Sequence, residues 1–175
     1  MLTRLKLVMV LGASCVFALQ AQVNEYQVKA LFLYNFARYV EWPVQSFKTT
    51  NDPIVICVVG QNLFGSALEQ AVAGKVVGGR PFVIRQILDI QPGDSCHIVF
   101  VSSSERKRFR SIAKWLKGAG VLTVGETQGL TSGGGMINFK LEDGKVHFEI
   151  DVNAAAREHL RIGSKLLSLA QLVKD

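Results

Sequence analysis

A β-hairpin between Met136 and Val152 is the feature of this sequence that most constrains the fold. Apolar and polar residues alternate on both sides of Asp143-Gly144, which is the pattern of two half-buried strands. Asp-Gly supplies the two positive-φ positions that a type I′ turn requires. Such a two-residue turn fixes the register, so three apolar pairs should share one face: Leu141 with Val146, Phe139 with Phe148, and Ile137 with Ile150.

The opposite face of the hairpin is polar, with Asn138 opposite Glu149 and Lys140 opposite His147. Glu149 lies diagonally near Lys140, so these side chains can form a cross-strand structural pair. The alternative is that this face is exposed and that Asn138, Lys140 and Glu149 bind a partner. The two interpretations differ for a Glu149→Lys variant, which should lose thermal stability in the first case and only partner binding in the second.

The N-terminal residues have the pattern of an exported protein. Two cations in MLTRLK precede an apolar run from Leu7 to Leu19, and small Ala21 follows as a cleavage position. We therefore predict a cleaved signal peptide over residues 1–21, with an uncleaved anchor as the alternative, and a single domain over residues 22–175. Without the signal peptide, 18 of the 20 basic residues remain against 14 acidic ones, a net charge of +4.

Two cysteines remain after export, Cys57 and Cys96, and an oxidising compartment favours a disulfide between them. Cys57 lies in the predicted strand IVICVVG, and Cys96 begins another, CHIVFV. A bridge requires these strands to be neighbours with Cα atoms about 5.5 Å apart. Two unbridged buried thiols are the alternative.

The middle of the chain alternates between strand and helix patterns. Continuous apolar runs such as IVICVV are typical of strands buried on both faces of a parallel sheet with crossover helices. A helix that is apolar nearly all round begins at Glu25 and ends before Pro43. We predict an α/β fold: a single compact domain with a mostly parallel central sheet, flanking helices and a C-terminal β-hairpin. The further predicted elements are strands Ile54–Val59, Phe82–Ile87, His97–Val101 and Val121–Val124, and helices Leu63–Ala73, Glu105–Lys117, Asn153–His159 and Ser164–Val173.

No motif indicates catalysis, a metal site or a cofactor. The glycine run at residues 133–135 precedes a strand rather than a helix, so it lacks the helix N-terminus of a phosphate-binding loop. His147 and Glu149 could share a metal only with a third ligand that no motif supplies. The serine run at residues 102–104 lacks the glycines of a nucleophile elbow, and a hydrolase is therefore a disfavoured class.

The basic residues form one cluster, Arg106-Lys107-Arg108 with Arg110, and no nucleic-acid-binding motif accompanies it. Its simplest interpretation is the solvated face of a helix. An acidic partner or a membrane surface is the alternative.

Several short motifs along the chain carry a family resemblance: Val28-Lys29-Ala30, Leu33-Tyr34-Asn35-Phe36, Glu41-Trp42-Pro43, Cys57-Val58-Val59-Gly60, Gly79-Arg80-Pro81, Ile137-Asn138-Phe139, Phe148-Glu149-Ile150 and Ser164-Lys165-Leu166-Leu167. In this order they resemble the YfiR-like periplasmic proteins over essentially the whole mature chain. The resemblance implies a compact α/β fold, a periplasmic location and no known catalysis. It also implies a repressor that binds the periplasmic domain of an inner-membrane diguanylate cyclase or sensor kinase, and that an outer-membrane lipoprotein can sequester.

The resemblance also concerns particular residues. Family cysteines match Cys57 and Cys96, which supports the proposed pair. A relative has a second cysteine pair in the region of Thr131 to Asn138, where this chain has glycines and no cysteine, so redox sensitivity and choice of partner can differ. We place the partner contact on the exposed hairpin face, the neighbouring loop and the outer side of the first helix. The residues of the hairpin and the loop are Asn138, Lys140, Glu149, Gly133, Gly134 and Gly135.

Two further possibilities stay open. The chain could be a periplasmic sensor module that binds a small ligand at the carboxyl ends of its parallel strands. It could also form a homodimer.

Overall fold

Helices and strands alternate along the chain, as the apolar patterns predicted. The computed structural model describes residues 25–91 and 94–173, and the predicted signal peptide at residues 1–21 lies outside them. The helices are α1 (residues 25–39), α2 (Ala67–Val72), α3 (Phe109–Leu116), α4 (Val152–Arg157) and α5 (Ser164–Leu167). The strands are β1 (Val40–Glu41), β2 (Ile54–Val59), β3 (Val76–Val77), β4 (Arg80–Ile87), β5 (Ile98–Val101), β6 (Leu122–Gly125), β7 (Ile137–Glu142), β8 (Lys145–Ile150), β9 (Arg161–Ile162) and β10 (Gln171–Leu172).

Within the described residues, eight of these strands form one sheet in the order β10-β8-β7-β6-β5-β2-β4-β3. Its centre is parallel: β2 pairs in parallel with β4 and β5, β5 with β6, and β6 with β7. The return strand β8 is antiparallel to β7, and β1 and β9 form a separate antiparallel pair. The predicted α/β fold with a mostly parallel central sheet is confirmed.

The hairpin of β7 and β8 has the register predicted from its turn, as three apolar pairs show: Ile137 with Ile150, Phe139 with Phe148, and Leu141 with Val146. Asp143 and Gly144 adopt φ angles of 50° and 71°, the left-handed conformation that both central positions of a type I′ turn require. The apolar face is buried only toward the base of the hairpin, since Leu141 near the turn is 56% exposed.

Helix α1 covers one face of the sheet. Its side chains Leu33 and Phe36 are fully buried. The rings of Phe32 and Phe36 pack on those of Phe139 and Phe148 in the hairpin, with ring centroids 5.1 to 6.0 Å apart. Because aromatic side chains bury the largest apolar areas, these contacts are a main link between the start of the domain and its hairpin.

Helix α3 covers the opposite face with Phe109, Ile112 and Leu116. In the same core, Cys57 of β2 and Cys96, which lies just before β5, form a disulfide with Cα atoms 5.9 Å apart. The bridge forms because β2 and β5 are neighbouring strands. The disulfide predicted from the sequence is therefore present.

Helices α2 and α3 begin later in the chain than the sequence patterns predicted. Helix α2 begins at Ala67 rather than Leu63, because the side chain of Asn62 accepts a hydrogen bond from the backbone two residues on and holds a turn there. Helix α3 begins at Phe109, because a separate 3-10 turn at Ser103–Glu105 precedes it.

The predicted last helix, Ser164–Val173, is correct only as far as Leu167. Gln171 and Leu172 instead form β10, which pairs in parallel with β8, and the Val173 N–H donates to the Ile150 carbonyl at 2.9 Å. The amphipathic pattern fits a helix, but an open strand edge exposes backbone donors and acceptors that a further strand satisfies. Here pairing with the edge of β8 prevails over the local pattern.

His97 joins the start of β5 to two other segments. Its Nδ1 accepts a hydrogen bond from the Val55 N–H at 3.1 Å, so its Nε2, which lies 3.1 Å from the Ser46 carbonyl oxygen, carries the proton. The Phe47 ring stacks on the imidazole with centroids 4.4 Å apart. Burial lowers the pKa of His97, and Arg80 acts in the same direction against the opposing effect of the Ser46 carbonyl. The fold therefore holds His97 in its neutral form.

Stability should consequently fall in mildly acidic solution. Because the pKa of His97 is lower in the folded chain, the stabilisation is complete above about pH 6.5 and is lost as the pH falls toward the folded pKa. We expect the free energy of unfolding to decrease by up to about 1.4 kcal/mol per pH unit in that range, measured by urea unfolding. His97→Asn should be less stable and lack this slope, whereas His147→Asn, at an exposed position, should keep it. An unchanged slope in His97→Asn would contradict this assignment.

Candidate functional site

The β7–β8 hairpin extends past the neighbouring strand and borders a groove. β6 pairs with β7 only as far as Gly125 with Asn138, so among the described residues no strand lies beside Phe139–Glu142 on the side away from β8. The space along this open edge has a volume of about 480 Å³. We name it the hairpin groove; its lining includes Glu126, Gln128, Gly129, Asn138, Lys140 and Glu149.

The Glu149 cluster, formed by Thr131, Asn138, Lys140 and Glu149, lies at the base of this groove. Lys140 Nζ is 2.6 Å from Glu149 Oε2. Thr131 Oγ1 and Asn138 Nδ2 donate to Glu149 Oε1 at 3.0 and 3.3 Å. Asn138 is only 2% exposed and Glu149 8%. The predicted exposure of this face is therefore wrong at Asn138 and Glu149, because the turn that carries Thr131 covers them. The cross-strand pair at Glu149 is present.

The surroundings of Glu149 favour its charged form. Burial alone would raise the pKa of this carboxyl, but hydrogen bonds from Lys140, Thr131 and Asn138 outweigh burial and hold the pKa below its ordinary value. Asn138 Oδ1 is buried and has no hydrogen-bond partner among the described residues. Because an unpaired buried acceptor costs roughly 1–3 kcal/mol, a donor that reached it from the groove would gain a favourable hydrogen bond.

The Glu126 cluster, formed by Glu25, Tyr26, Lys29, Ser103 and Glu126, borders the same groove. Lys29 Nζ of α1 lies 2.6 Å from Glu126 Oε2 and also pairs with Glu25. Tyr26 Oη and the Ser103 N–H each donate to the Glu126 carboxylate at 3.0 Å. Burial, and then the Glu126 charge, raises the pKa of Tyr26, so its phenol stays a donor. The cluster fixes α1 to the ends of β5 and β6.

The three glycines predicted at the contact lie outside the groove. Gly134 has a φ of 99°, a conformation that favours glycine. A Cβ on Gly133 would come within 2.9 Å of the Phe109 ring, and one on Gly135 within 2.1 Å of the Leu130 side chain. The run is therefore a closely packed turn against α3 rather than a loose loop, and it supports the groove only through the turn that precedes it.

Several members of these clusters were not predicted, among them Lys29, Glu126 and Thr131. Glu126 directly follows a buried strand, and in parallel sheets polar residues at such positions meet at one edge. Lys29 is a lone cation on an apolar helix, and a buried lysine usually has a partner. The two are 97 positions apart, so no local pattern could indicate their pairing.

Other sequence candidates are not assembled into a reactive site. Ser104 Oγ accepts a hydrogen bond from the Gln61 N–H at 2.9 Å. His147 is exposed on β8, and no hydrogen bond joins it to the serine run in the described chain. Among residues 25–91 and 94–173, no three His, Cys, Asp or Glu side chains are grouped to hold a metal ion. None of the helices in those ranges is long and apolar enough to cross a membrane.

The fold and the groove define an α/β domain with a cleft beside β7 that is lined by paired charges. The chain belongs to the YfiR/HmsC-like family, whose sequence profile matches residues 26–171. The resemblance inferred from the short motifs is thus confirmed. The family is regulatory rather than catalytic, and it is periplasmic.

A solved structure shares the fold. The chain is similar to a conserved domain protein from Vibrio cholerae O1 biovar El Tor, with 13% sequence identity and a TM-score of 0.50. The similarity covers 69% of this chain and 54% of that one, so the chain spans about half the length of the protein it matches. At this identity the likeness supports the α/β fold alone.

Proposed function

We propose that this protein is a periplasmic regulator that binds a membrane-bound signalling protein and holds it inactive. The target we propose is the periplasmic domain of an inner-membrane diguanylate cyclase, which places the protein in cyclic-di-GMP signalling and the control of biofilm formation. Membership of a regulatory family supports this. A stoichiometric repressor acts through the ratio of its affinities for two states of the target, so it requires a binding surface and no catalytic group.

The observation that carries the proposal is the open edge of β7 beside buried charges. On the side of β7 away from β8, the backbone of Phe139–Glu142 has no strand beside it in the described chain, and a segment of the target can pair with that edge by strand addition. Lys140 and the unpaired Asn138 Oδ1 line the same groove and can select polar groups on that segment. Gly133, Gly134 and Gly135 belong to the proposed contact as the support of the turn that covers Glu149.

The buried charges at the groove are compensated within the chain, and Glu142, which is exposed near the hairpin turn, is the lining carboxylate without an ion pair among the described residues. Lys29 is paired with two carboxylates and Lys140 with Glu149, so each buried cation already has a partner. A target segment should therefore bring backbone and neutral polar groups, rather than a strong charge of either sign, to this surface. The affinity is accordingly expected to depend only weakly on salt concentration.

A Lys140→Ala variant should weaken binding of the target by about tenfold, because it removes a groove side chain and leaves the buried Glu149 carboxylate without its ion pair. The protein would be used to capture targets from solubilised inner membranes. The purified periplasmic domain of the recovered cyclase would then be titrated with the wild type and the variant.

Lys145→Ala is the matched control, since Lys145 is exposed beside the hairpin turn and outside the groove lining. It should change the affinity by less than about twofold. Equal affinities for the two variants would contradict the assignment of the groove. Recovery of membrane proteins without a cyclase or sensor kinase among them would contradict the proposed target.

The proposal includes two further complexes, one with an outer-membrane lipoprotein and one between two copies of this chain. An outer-membrane lipoprotein that competes for the same surface would release the target, and competition in the titration above tests this. Self-association into a homodimer through the open edge of β7 would likewise block the target, and the oligomeric state in solution at increasing protein concentration tests it.

A second function is favoured by the size of the groove. About 480 Å³ with several convergent polar groups lies within the range of small-ligand sites, so a periplasmic sensor module that binds a metabolite is the alternative. A rise in melting temperature with a metabolite, in the absence of any protein target, would support it. The same rise in Lys140→Ala would place that ligand elsewhere.

A further inference from the structure

A smaller pocket lies between the start of α3 and the segment 127–133. Its volume is about 280 Å³, and buried Phe109 and Leu130 form part of its wall. We name it the α3 pocket. Gln128 and Gly129 border both this pocket and the hairpin groove, so the two sites are separated by a single stretch of chain.

The charged side chains that line the α3 pocket are all cationic. Arg106, Lys107 and Arg110 border it, and no described carboxylate forms an ion pair with any of them. Arg108, in the middle of the same basic run, is instead paired with two carboxylates. The basic cluster of the sequence is thus divided between one arginine that supports the fold and three cations around a concave site. A purely solvated helix face does not explain that convergence.

A buried hydroxyl adds a second, independent observation. Thr127 lines the same pocket and is 7% exposed, and its Oγ1 has no hydrogen-bond partner among the described residues. Buried hydroxyls are normally paired, and an unpaired one costs about 1–3 kcal/mol. Next to three cations, the partner that best completes this donor is a negatively charged oxygen.

We propose that the α3 pocket binds a small oxyanion, namely a phosphate or a phosphoryl group. Arg106 and Arg110 can each present two parallel N–H donors to it, Lys107 adds a point charge, and Thr127 donates its hydroxyl. A pocket of about 280 Å³ suits one phosphoryl group better than a peptide segment. The same chemistry serves a soluble phosphate and the headgroup of a phospholipid, and the experiment separates these two sources.

Binding of an anion in the α3 pocket should also affect the hairpin groove, because the segment 127–133 contributes to both sites. Thr127 begins this segment, and four residues later Thr131 donates to Glu149. An anion that holds Thr127 is expected to fix the segment and to strengthen the Glu149 cluster. The consequence for the target, a tighter complex in the presence of the anion, rests on the proposed function; binding of the anion does not.

Calorimetric titration of the purified protein with sodium phosphate, at constant ionic strength and with chloride as the reference anion, tests the site. We expect one saturable site and a melting temperature that rises with phosphate concentration. Thr127→Val preserves the shape of the side chain and removes the hydroxyl. It should weaken phosphate binding by about tenfold or more without lowering the melting temperature of the phosphate-free protein, since no hydrogen bond is lost there.

Two charge variants near α3 distinguish a specific phosphate site from nonspecific electrostatic attraction of phosphate to the basic surface. Lys107→Gln should weaken phosphate binding by about fivefold. Lys114→Gln makes the same change of charge at an exposed position of α3 outside the pocket and should leave the affinity within about twofold. Equal losses in these two variants, or unchanged phosphate binding in Thr127→Val, would overturn the proposal.

Vesicles distinguish the two sources of the phosphoryl group. Binding to phosphatidylglycerol but not phosphatidylcholine vesicles, competed by phosphate and lost in Thr127→Val, would assign the pocket to a lipid headgroup. Saturable phosphate binding without vesicle binding would assign it to a soluble phosphate. Vesicle binding that survives in Thr127→Val, or no saturable binding of either kind, would overturn the proposal. None of these measurements involves the target, so their failure would leave the proposed repressor function standing.

Discussion

Replacement of Glu149 by lysine is expected to lower the melting temperature by on the order of 10 °C. The change removes the acceptor of three side chains and places a second cation beside Lys140, at a position that is 8% exposed. Breaking one side of a buried ion pair costs about 3–5 kcal/mol. In a domain of this size, each kcal/mol corresponds to roughly 2–4 °C. Thermal unfolding followed by circular dichroism measures the shift.

Glu142→Lys is the matched control, because it makes the same change of charge at an exposed position of the same hairpin, opposite Lys145. It should change the melting temperature by no more than about 2 °C. Glu149→Gln keeps the shape and removes the charge, so its melting temperature should lie between those of Glu149→Lys and the wild type. A Glu149→Lys protein as stable as the wild type would show that the cluster contributes nothing to folding and would favour a purely functional role for Glu149.

The hairpin shows which structural features a local sequence pattern can predict: it predicts the strand register but not the burial of a face. Its register could be predicted because period-two alternation and the Asp143-Gly144 turn are both properties of adjacent residues. The alternation assigns Asn138 and Glu149 to one face, but it does not say whether that face is covered. The cover is the turn at Thr131, outside the hairpin, and nothing in its sequence marks it as the partner of Glu149. Asn138 and Glu149 were therefore correctly assigned to one face of the hairpin and wrongly described as exposed, and their role in partner binding stays a prediction.

Strand β10 and the Lys29–Glu126 ion pair were also missed, because both depend on contacts between residues far apart in the sequence. The segment from Ser164 has helical periodicity, yet Gln171 and Leu172 complete the edge of β8, because hydrogen bonds to an unpaired strand outweigh a weak local preference. The Lys29–Glu126 pair depends on how α1 lies across the ends of β5 and β6. The fold class needed only short-range patterns, whereas burial and pairing at the site follow from contacts between distant parts of the chain.

Removal of the Cys57–Cys96 bridge is expected to lower the free energy of unfolding by about 4 kcal/mol. The two cysteines are 39 positions apart, and a cross-link over that length restricts the unfolded chain substantially. The closed loop contains α2 together with β3 and β4, and these two strands form one edge of the sheet. The bridge therefore ties that part of the chain to the segment that leads into β5. The double variant Cys57→Ala, Cys96→Ala should therefore melt about 10 °C lower than the wild type.

Reduction of the wild type provides the control for this effect. A reductant should reproduce most of the loss of stability in the wild type and leave the stability of the double variant unchanged. This comparison separates the effect of the cross-link from the packing of two sulfur atoms.

Limited proteolysis of the reduced protein should cut α2 or β4 first, because these elements lie in the loop that the bridge closes. β7 is separated from β2 by β5 and β6, so binding in the hairpin groove should persist below the melting transition. A melting temperature unchanged by either treatment would mean that the pairing of β2 with β5, rather than the bridge, holds this edge of the sheet.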